Sequence, residues 1–245
     1  MATIELLWHS GVRTHYKRRY PGRAREVDRM TQTSNATSQI QLLDSGYSRE
    51  ARSLLYHAYR HEPTYRFLFD ADRSGYEQRV RATVRELVKQ HFLQDLPALG
   101  LLVNDRLLGI ALIAPPQRRL GITESWAWQL RMLLSTGLSC TRRYLDYHQA
   151  VLACVPGDAV HMLPLLGIHP EFQGLHYGEQ LLEAVHNWCA EDAHSEGVVL
   201  DTGNPRYLEF YKRQGYVEIG EVAVGPVVEH VFFHANPQAV DAATA

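Results

Sequence analysis

Two short stretches of this chain hold residue types whose spacing could do chemistry. The first is Gln173-Gly174-Leu175-His176-Tyr177-Gly178, running into Glu179. It follows an apolar run, Val160 to Ile168, suited to a central strand, and precedes a helical pattern with Leu181, Leu182, Val185, Trp188 and Cys189 on one face. The first N–H groups of a helix have no intrahelical partners, and the helix dipole favours negative charge there. Glycines let a backbone approach a phosphate closely. The stretch is therefore a candidate pyrophosphate cradle, although two glycines before a helix are more often an ordinary turn. It lacks the Gly-Lys-Ser/Thr ending of a P-loop and the full GxGxxG of a dinucleotide site.

The second stretch runs from Asn204-Pro205-Arg206 through Phe210-Tyr211 to Gly215-Tyr216, after a strand-like segment ending Leu200-Asp201-Thr202. Pro205 suits the first position of a helix, where its missing N–H costs nothing. Taken with Leu165-Leu166-Gly167-Ile168-His169-Pro170 and the glycine loop, this pattern resembles the GNAT superfamily of N-acetyltransferases. The resemblance is specific from about residue 161 to 216, only compatible for residues 40 to 113, and absent from the first 29.

The resemblance implies a set of roles. Two central strands would part at Leu166, Gly167 and Ile168, whose free backbone groups would bond the pantetheine arm of acetyl-CoA, the co-substrate. The amides of Gln173, Gly174, Leu175, His176, Tyr177, Gly178 and Glu179 would hold its pyrophosphate. Asn204 would lie near the pantetheine. Tyr211 would face the thioester sulfur and serve as general acid toward the leaving thiolate. An acceptor amine resembling lysine has a pKa of about 10.4, so a base, or a site that lowers that pKa, is also needed. Pro164 stands where related sequences often place a Glu in that role. Proline cannot ionise, and it fits a bulge or edge better than a regular central strand. His161 is the nearest titratable alternative by sequence and by intrinsic pKa. His176 departs from the family's glycine and bears on CoA affinity. The expected function is transfer of an acetyl or short acyl group from acyl-CoA to a primary amine on a small molecule or peptide. A catalytically degenerate acyl-CoA sensor or interaction module is the alternative.

The elements that must position these residues follow from periodicity. Residues 39 to 42 alternate as a strand. Ser48 is a plausible cap for a helix bearing Ala51, Leu54, Leu55 and Ala58. Tyr76 to Val88 repeats at helical spacing. Leu101 to Val103 and Leu107 to Ile113 flank a turn at Asn104-Asp105, with Gly100 suited to a turn before them. Residues 117 to 157 look like a helical insertion between the third and fourth main strands. Its stripes are Trp126, Leu130, Leu133 and Leu134, then Leu138, Leu145, His148 and Leu152. These helices would pack on the domain or wall a substrate site. The expected fold class is α/β: a single GNAT-like domain over residues 30–245, with a mixed central sheet flanked by helices. Residues 1–29 form a basic extension, with seven Arg and Lys against three acids. It reads as poorly ordered, or as an arm for an acidic partner.

Composition excludes several classes. The 245 residues carry a formal net charge of −2, which argues against nucleic-acid binding through bulk positive charge. No apolar run reaches membrane-spanning length and no secretory signal is visible, so a cytoplasmic location and no membrane partner are expected. Cys140, Cys154 and Cys189 match no zinc or redox spacing, and the histidines form no metal-binding motif, so no metal is expected. Homodimerisation is an expectation by resemblance only.

Overall fold

A computed structural model describes residues 38–116 and 126–238. The basic extension, the loop at 117–125 and the C-terminal tail lie outside the described residues. Seven strands form one mixed sheet in the order β1-β2-β3-β4-β5-β7-β6. The strands are β1 (Ser38–Leu42), β2 (Ala98–Val103), β3 (Arg106–Ala114), β4 (Val160–Ile168), β5 (Gly197–Thr202), β6 (Val217–Val224) and β7 (Val227–Ala235). Helices α1 (Ser48–Tyr59), α2 (Pro63–Leu68) and α3 (Tyr76–Leu93) fall between β1 and β2. Between β3 and β4 come α4 (Trp126–Thr136) and α5 (Leu138–Cys154). The helix α6 (Tyr177–Ala190) precedes β5, and α7 (Pro205–Arg213) follows it.

Side chains alternate across a sheet, so each strand feeds two cores. Ile110, Leu112, Val199 and Val231 join α1 to α5 on one face. Ala111, Ile113, Leu200 and Phe232 join α6 and α7 on the other. The β2–β3 turn sits at Asn104 and Asp105, with φ of 51° and 60°. Two positive φ values suit the right-handed twist of a hairpin, and Asn and Asp tolerate that region.

Some local expectations need correction. The N-cap of α1 is Tyr47 rather than Ser48. A short 3-10 turn, Ser45–Tyr47, precedes the helix, and the Asp44 carboxylate accepts from the Gly46 N–H. Gly100 lies inside β2, paired with Gln41, not before it, and a Cβ there would meet the Leu43 side chain at 2.6 Å. In α4, Trp126, Leu130, Leu133 and Leu134 face outward, whereas Trp128 and Met132 are fully buried. Both faces of α4 are apolar, so periodicity could not choose between them. The buried face of α5 is likewise Cys140, Thr141, Tyr144 and Val151, and Leu138 is exposed.

Candidate functional site

The site begins with a fault in strand pairing. β4 and β5 run parallel and pair only at Val160↔Gly197, His161↔Val198 and Met162↔Val199. Beyond Met162 they part. On its other side β4 pairs with β3, with a register shift at Leu112/Ala114, opposite Leu163 and Pro164. Pro164 therefore sits in a bulge, where its missing N–H breaks no ladder bond.

The parting opens into a cleft of about 410 Å³. From β4 and the following loop it is lined by Leu166, Gly167, Ile168, Gln173, Gly174, His176, Gly178 and Glu179. Tyr211, Arg206 and Arg213 of α7 also face it. Most residues singled out by motif thus meet in one place. Leu175 and Tyr177 do not line the cleft, and Leu175 is exposed. Gly174 has φ of 80°, and a Cβ there would meet nothing within 4 Å. His176 also adopts a left-handed φ, 61°, at the N-cap of α6, and its Nδ1 lies 3.0 Å from Glu179 Oε2.

His161 is not brought to the cleft. It sits in the paired half of β4, is 2% exposed, and bonds Ser195 Oγ at 2.7 Å through Nδ1. Burial lowers its pKa to about 4. Closeness to Pro164 in sequence misled here, because the strands part only after His161.

The backbone groups on the open side of β4 are not left bare. Tyr59 Oη accepts from the Leu166 N–H and donates to the Leu166 carbonyl, each at 3.1 Å. Gln173 Nε2 donates to the Ile168 carbonyl at 3.2 Å. Two side chains thereby play the part of a missing strand, satisfying groups that would otherwise be costly to bury.

Asn204 caps α7, its Oδ1 accepting from the Arg206 N–H at 3.2 Å. Its Nδ2 donates to both carboxylate oxygens of Glu62, at 3.2 and 3.0 Å. Glu62 lines the cleft as the N-cap of α2, held extended by the following Pro63. Burial raises its pKa, against the opposing effects of the Asn204 bond and the Arg206 charge. Tyr211 is 9% exposed, and burial pushes its hydroxyl pKa well up.

Further lining comes from α2, α5, β5 and β7. Tyr147 Oη donates to Asp201 Oδ2, and Thr64 Oγ1 donates to Glu229 Oε2. Tyr65, Tyr144 and His148 complete it. Motif reading missed Tyr59, Glu62, Asp201 and Glu229 as site residues. Away from the cleft, Glu218, Glu221 and His230 converge on β6 and β7, with His230 Nδ1 2.6 Å from Glu218 Oε1.

This arrangement defines a class: a mixed sheet split between β4 and β5, with a glycine-bearing loop and helix N-terminus at one end of the opening. Residues 145–218 match the model of the acetyltransferase (GNAT) domain. The chain is thus similar to GNAT acetyltransferases over that segment and shares their fold. No curated protein matches the sequence. Solved structures share the fold at low identity. A Corynebacterium glutamicum protein described as histone acetyltransferase HPA2 and related acetyltransferase is 14% identical, with TM-score 0.60, over 83% of this chain and 97% of that one. An agmatine N-acetyltransferase is 18% identical, with TM-score 0.59, over 81% and 99%. The polyamine N-acetyltransferase of Drosophila melanogaster is 15% identical, with TM-score 0.54, over 81% and 100%. No described helix is long and apolar enough to cross a membrane.

Proposed function

We propose that this chain moves an acetyl or short acyl group from acyl-CoA to a primary amine by direct attack on the thioester. The observation that carries this reading is the parting of β4 and β5 after Met162, with Tyr211 and Glu62 both lining the opening. A pantetheine amide offers one donor and one acceptor, as the Tyr59 hydroxyl does for Leu166, so it can take that place. The α6 N-terminus, the open space beside Gly174, and Arg206 and Arg213 suit a pyrophosphate. Similar folds described as agmatine and polyamine acetyltransferases support an amine acceptor.

In the reaction the amine gives up a proton, the C–N bond forms, and the C–S bond breaks. Glu62, in place of the His161 suggested by sequence, accepts the amine proton directly or through one water. Tyr211 donates a hydrogen bond to the departing sulfur. The test is thiol release from acetyl-CoA across a panel of small amines and peptides. Turnover with at least one amine is expected. Tight CoA binding without turnover on any of them would instead favour the acyl-CoA-binding module. One observation favours that second reading: an L-residue, His176, holds a left-handed φ at a cost of roughly 1 kcal/mol, beside an anionic Glu179 where phosphate would rest.

The Tyr59 contact gives a further expected result. Tyr59→Phe removes the hydroxyl that competes for Leu166, and should tighten CoA binding about 3- to 10-fold. It should also destabilise the free protein by about 1–2 kcal/mol through the unpaired Leu166 groups. Calorimetry and denaturant unfolding measure the two effects. Weaker CoA binding in a folded variant would show that Tyr59 assists the ligand rather than standing in for it.

A further inference from the structure

We propose that Asp201 and Glu229 seat a second cationic group of the acceptor, so that the preferred acceptor is a short dication such as a diamine. This rests on the transferase reading above and adds a substrate class to it.

The two carboxyls come together through topology. β5 and β7 are neighbours, with Asp201 opposite Val231, and Glu229 lies two residues along on the same face as Val231. That face packs against α1 to α5, while Tyr211 and the α6 helix belong to the other. Both carboxyls line the cleft, Glu229 at its floor with 3% exposure. Gly203 lets the β5–α7 connection lie against them, because a Cβ there would collide with Thr64 Oγ1 and with Glu229 Oε2.

The carboxyls are hydrogen-bonded to each other, and burial raises both pKa values. Two carboxyls so close oppose each other's ionisation, which favours sharing a proton between them. Among the described residues, no Lys, Arg or His forms an ion pair with either. Arg206 and Arg213 line the same cleft without an ion pair to either carboxyl, and Arg143 and Arg79 of the helices on this face are engaged elsewhere. Arg143 Nη1 donates to the Phe67 carbonyl at 3.0 Å, with its guanidinium 4.8 Å from the Phe67 ring centroid. Arg79 donates to the carbonyls of Phe69, Asp70, Arg73 and Ser74.

A buried charge without a counter-ion is unfavourable, and a cation delivered by the ligand relieves it. The aromatic rings of Tyr65, Tyr144 and Tyr147 beside the pair suit an organic ammonium or guanidinium better than a metal ion. Glu62 is a separate carboxyl lining the same cleft. Only one residue separates it in sequence from Thr64, the partner of Glu229. One acceptor of a few carbons can therefore place its reacting amine at Glu62 and its second charge at the pair.

The test compares 1,3-diaminopropane, 1,4-diaminobutane and 1,5-diaminopentane with propyl-, butyl- and pentylamine, at saturating acetyl-CoA. The wild-type protein should favour diamines about 10- to 100-fold in kcat/KM, the range for hydrogen bonds to charged groups. In Asp201→Asn/Glu229→Gln the diamines should fall to the monoamine level. Glu229→Gln alone leaves the Asp201 carboxyl in place and should keep the preference. No diamine preference in the wild type, or equal loss for both amine series in the double variant, overturns the proposal. A second readout is the shift in melting temperature produced by 1,4-diaminobutane on the CoA-loaded protein, expected for the wild type and absent in the double variant. It separates the two claims: a shift without turnover of any amine keeps the seat and rejects the transferase. Should the double variant fail to fold, the wild-type amine series still decides.

Discussion

Tyr211→Phe is expected to lower kcat by about 100-fold, with CoA affinity within about twofold of wild type. A positioned acid contributes about 10²- to 10⁴-fold. Two features place this tyrosine at the lower end. Burial raises its hydroxyl pKa, so the group stays protonated but gives its proton up reluctantly. An ordinary thiol has a pKa of about 8.5, so full transfer from such a tyrosine to the thiolate is uphill. What the hydroxyl supplies is a hydrogen bond to sulfur as charge develops there. The proton that completes the thiol comes ultimately from the amine. The ring is held independently of its hydroxyl, against Phe210, Tyr216 and Phe232 at centroid distances of 5.3, 5.7 and 5.8 Å. Phenylalanine keeps that packing, so the melting temperature should move little. Steady-state kinetics with calorimetry for CoA measures the effect, and an unchanged kcat would remove Tyr211 from the mechanism.

The parts of this site that can be read from sequence are those built by contiguous residues. The loop Gln173 to Glu179 and the cap Asn204-Pro205 carry their geometry in their residue types. Pro164 announced a fault in β4 for the same reason, since a missing N–H cannot be hidden in a ladder. The acidic wall was not legible. Tyr59 meets Leu166 across 107 residues and Asn204 meets Glu62 across 142. Asp201 and Glu229 become neighbours only because β7 inserts between β5 and β6. No periodicity encodes which strands pair. His161 shows the opposite error, in which nearness along the chain stood in for nearness in space. The insertion is an intermediate case. Its helices were visible, but Trp126 and Trp128 offered two apolar faces, and only packing against the domain chooses the second.

Glu62→Gln is expected to cut kcat/KM by about 10²- to 10³-fold near neutral pH, within the range for a general base. The amide keeps the size of the side chain and can still accept one bond from Asn204, so it should leave the cap of α7 in place. What it removes is the charge that takes the amine proton. The pH dependence gives a second reading. Only the ionised carboxylate is active, and burial sets the Glu62 pKa above the ordinary value of 4.5. Wild-type kcat/KM should therefore rise with pH through that raised pKa, and the limb should vanish in the variant. Stability runs the other way. A carboxyl with a raised folded-state pKa contributes stability below its unfolded pKa and loses it as pH climbs through the folded value. The amide has no such loss, so Glu62→Gln should be no less stable than wild type at pH 7 while being far slower. A variant that is slow because it is unfolding would show the opposite pairing, which denaturant titration at pH 5 and pH 7 distinguishes.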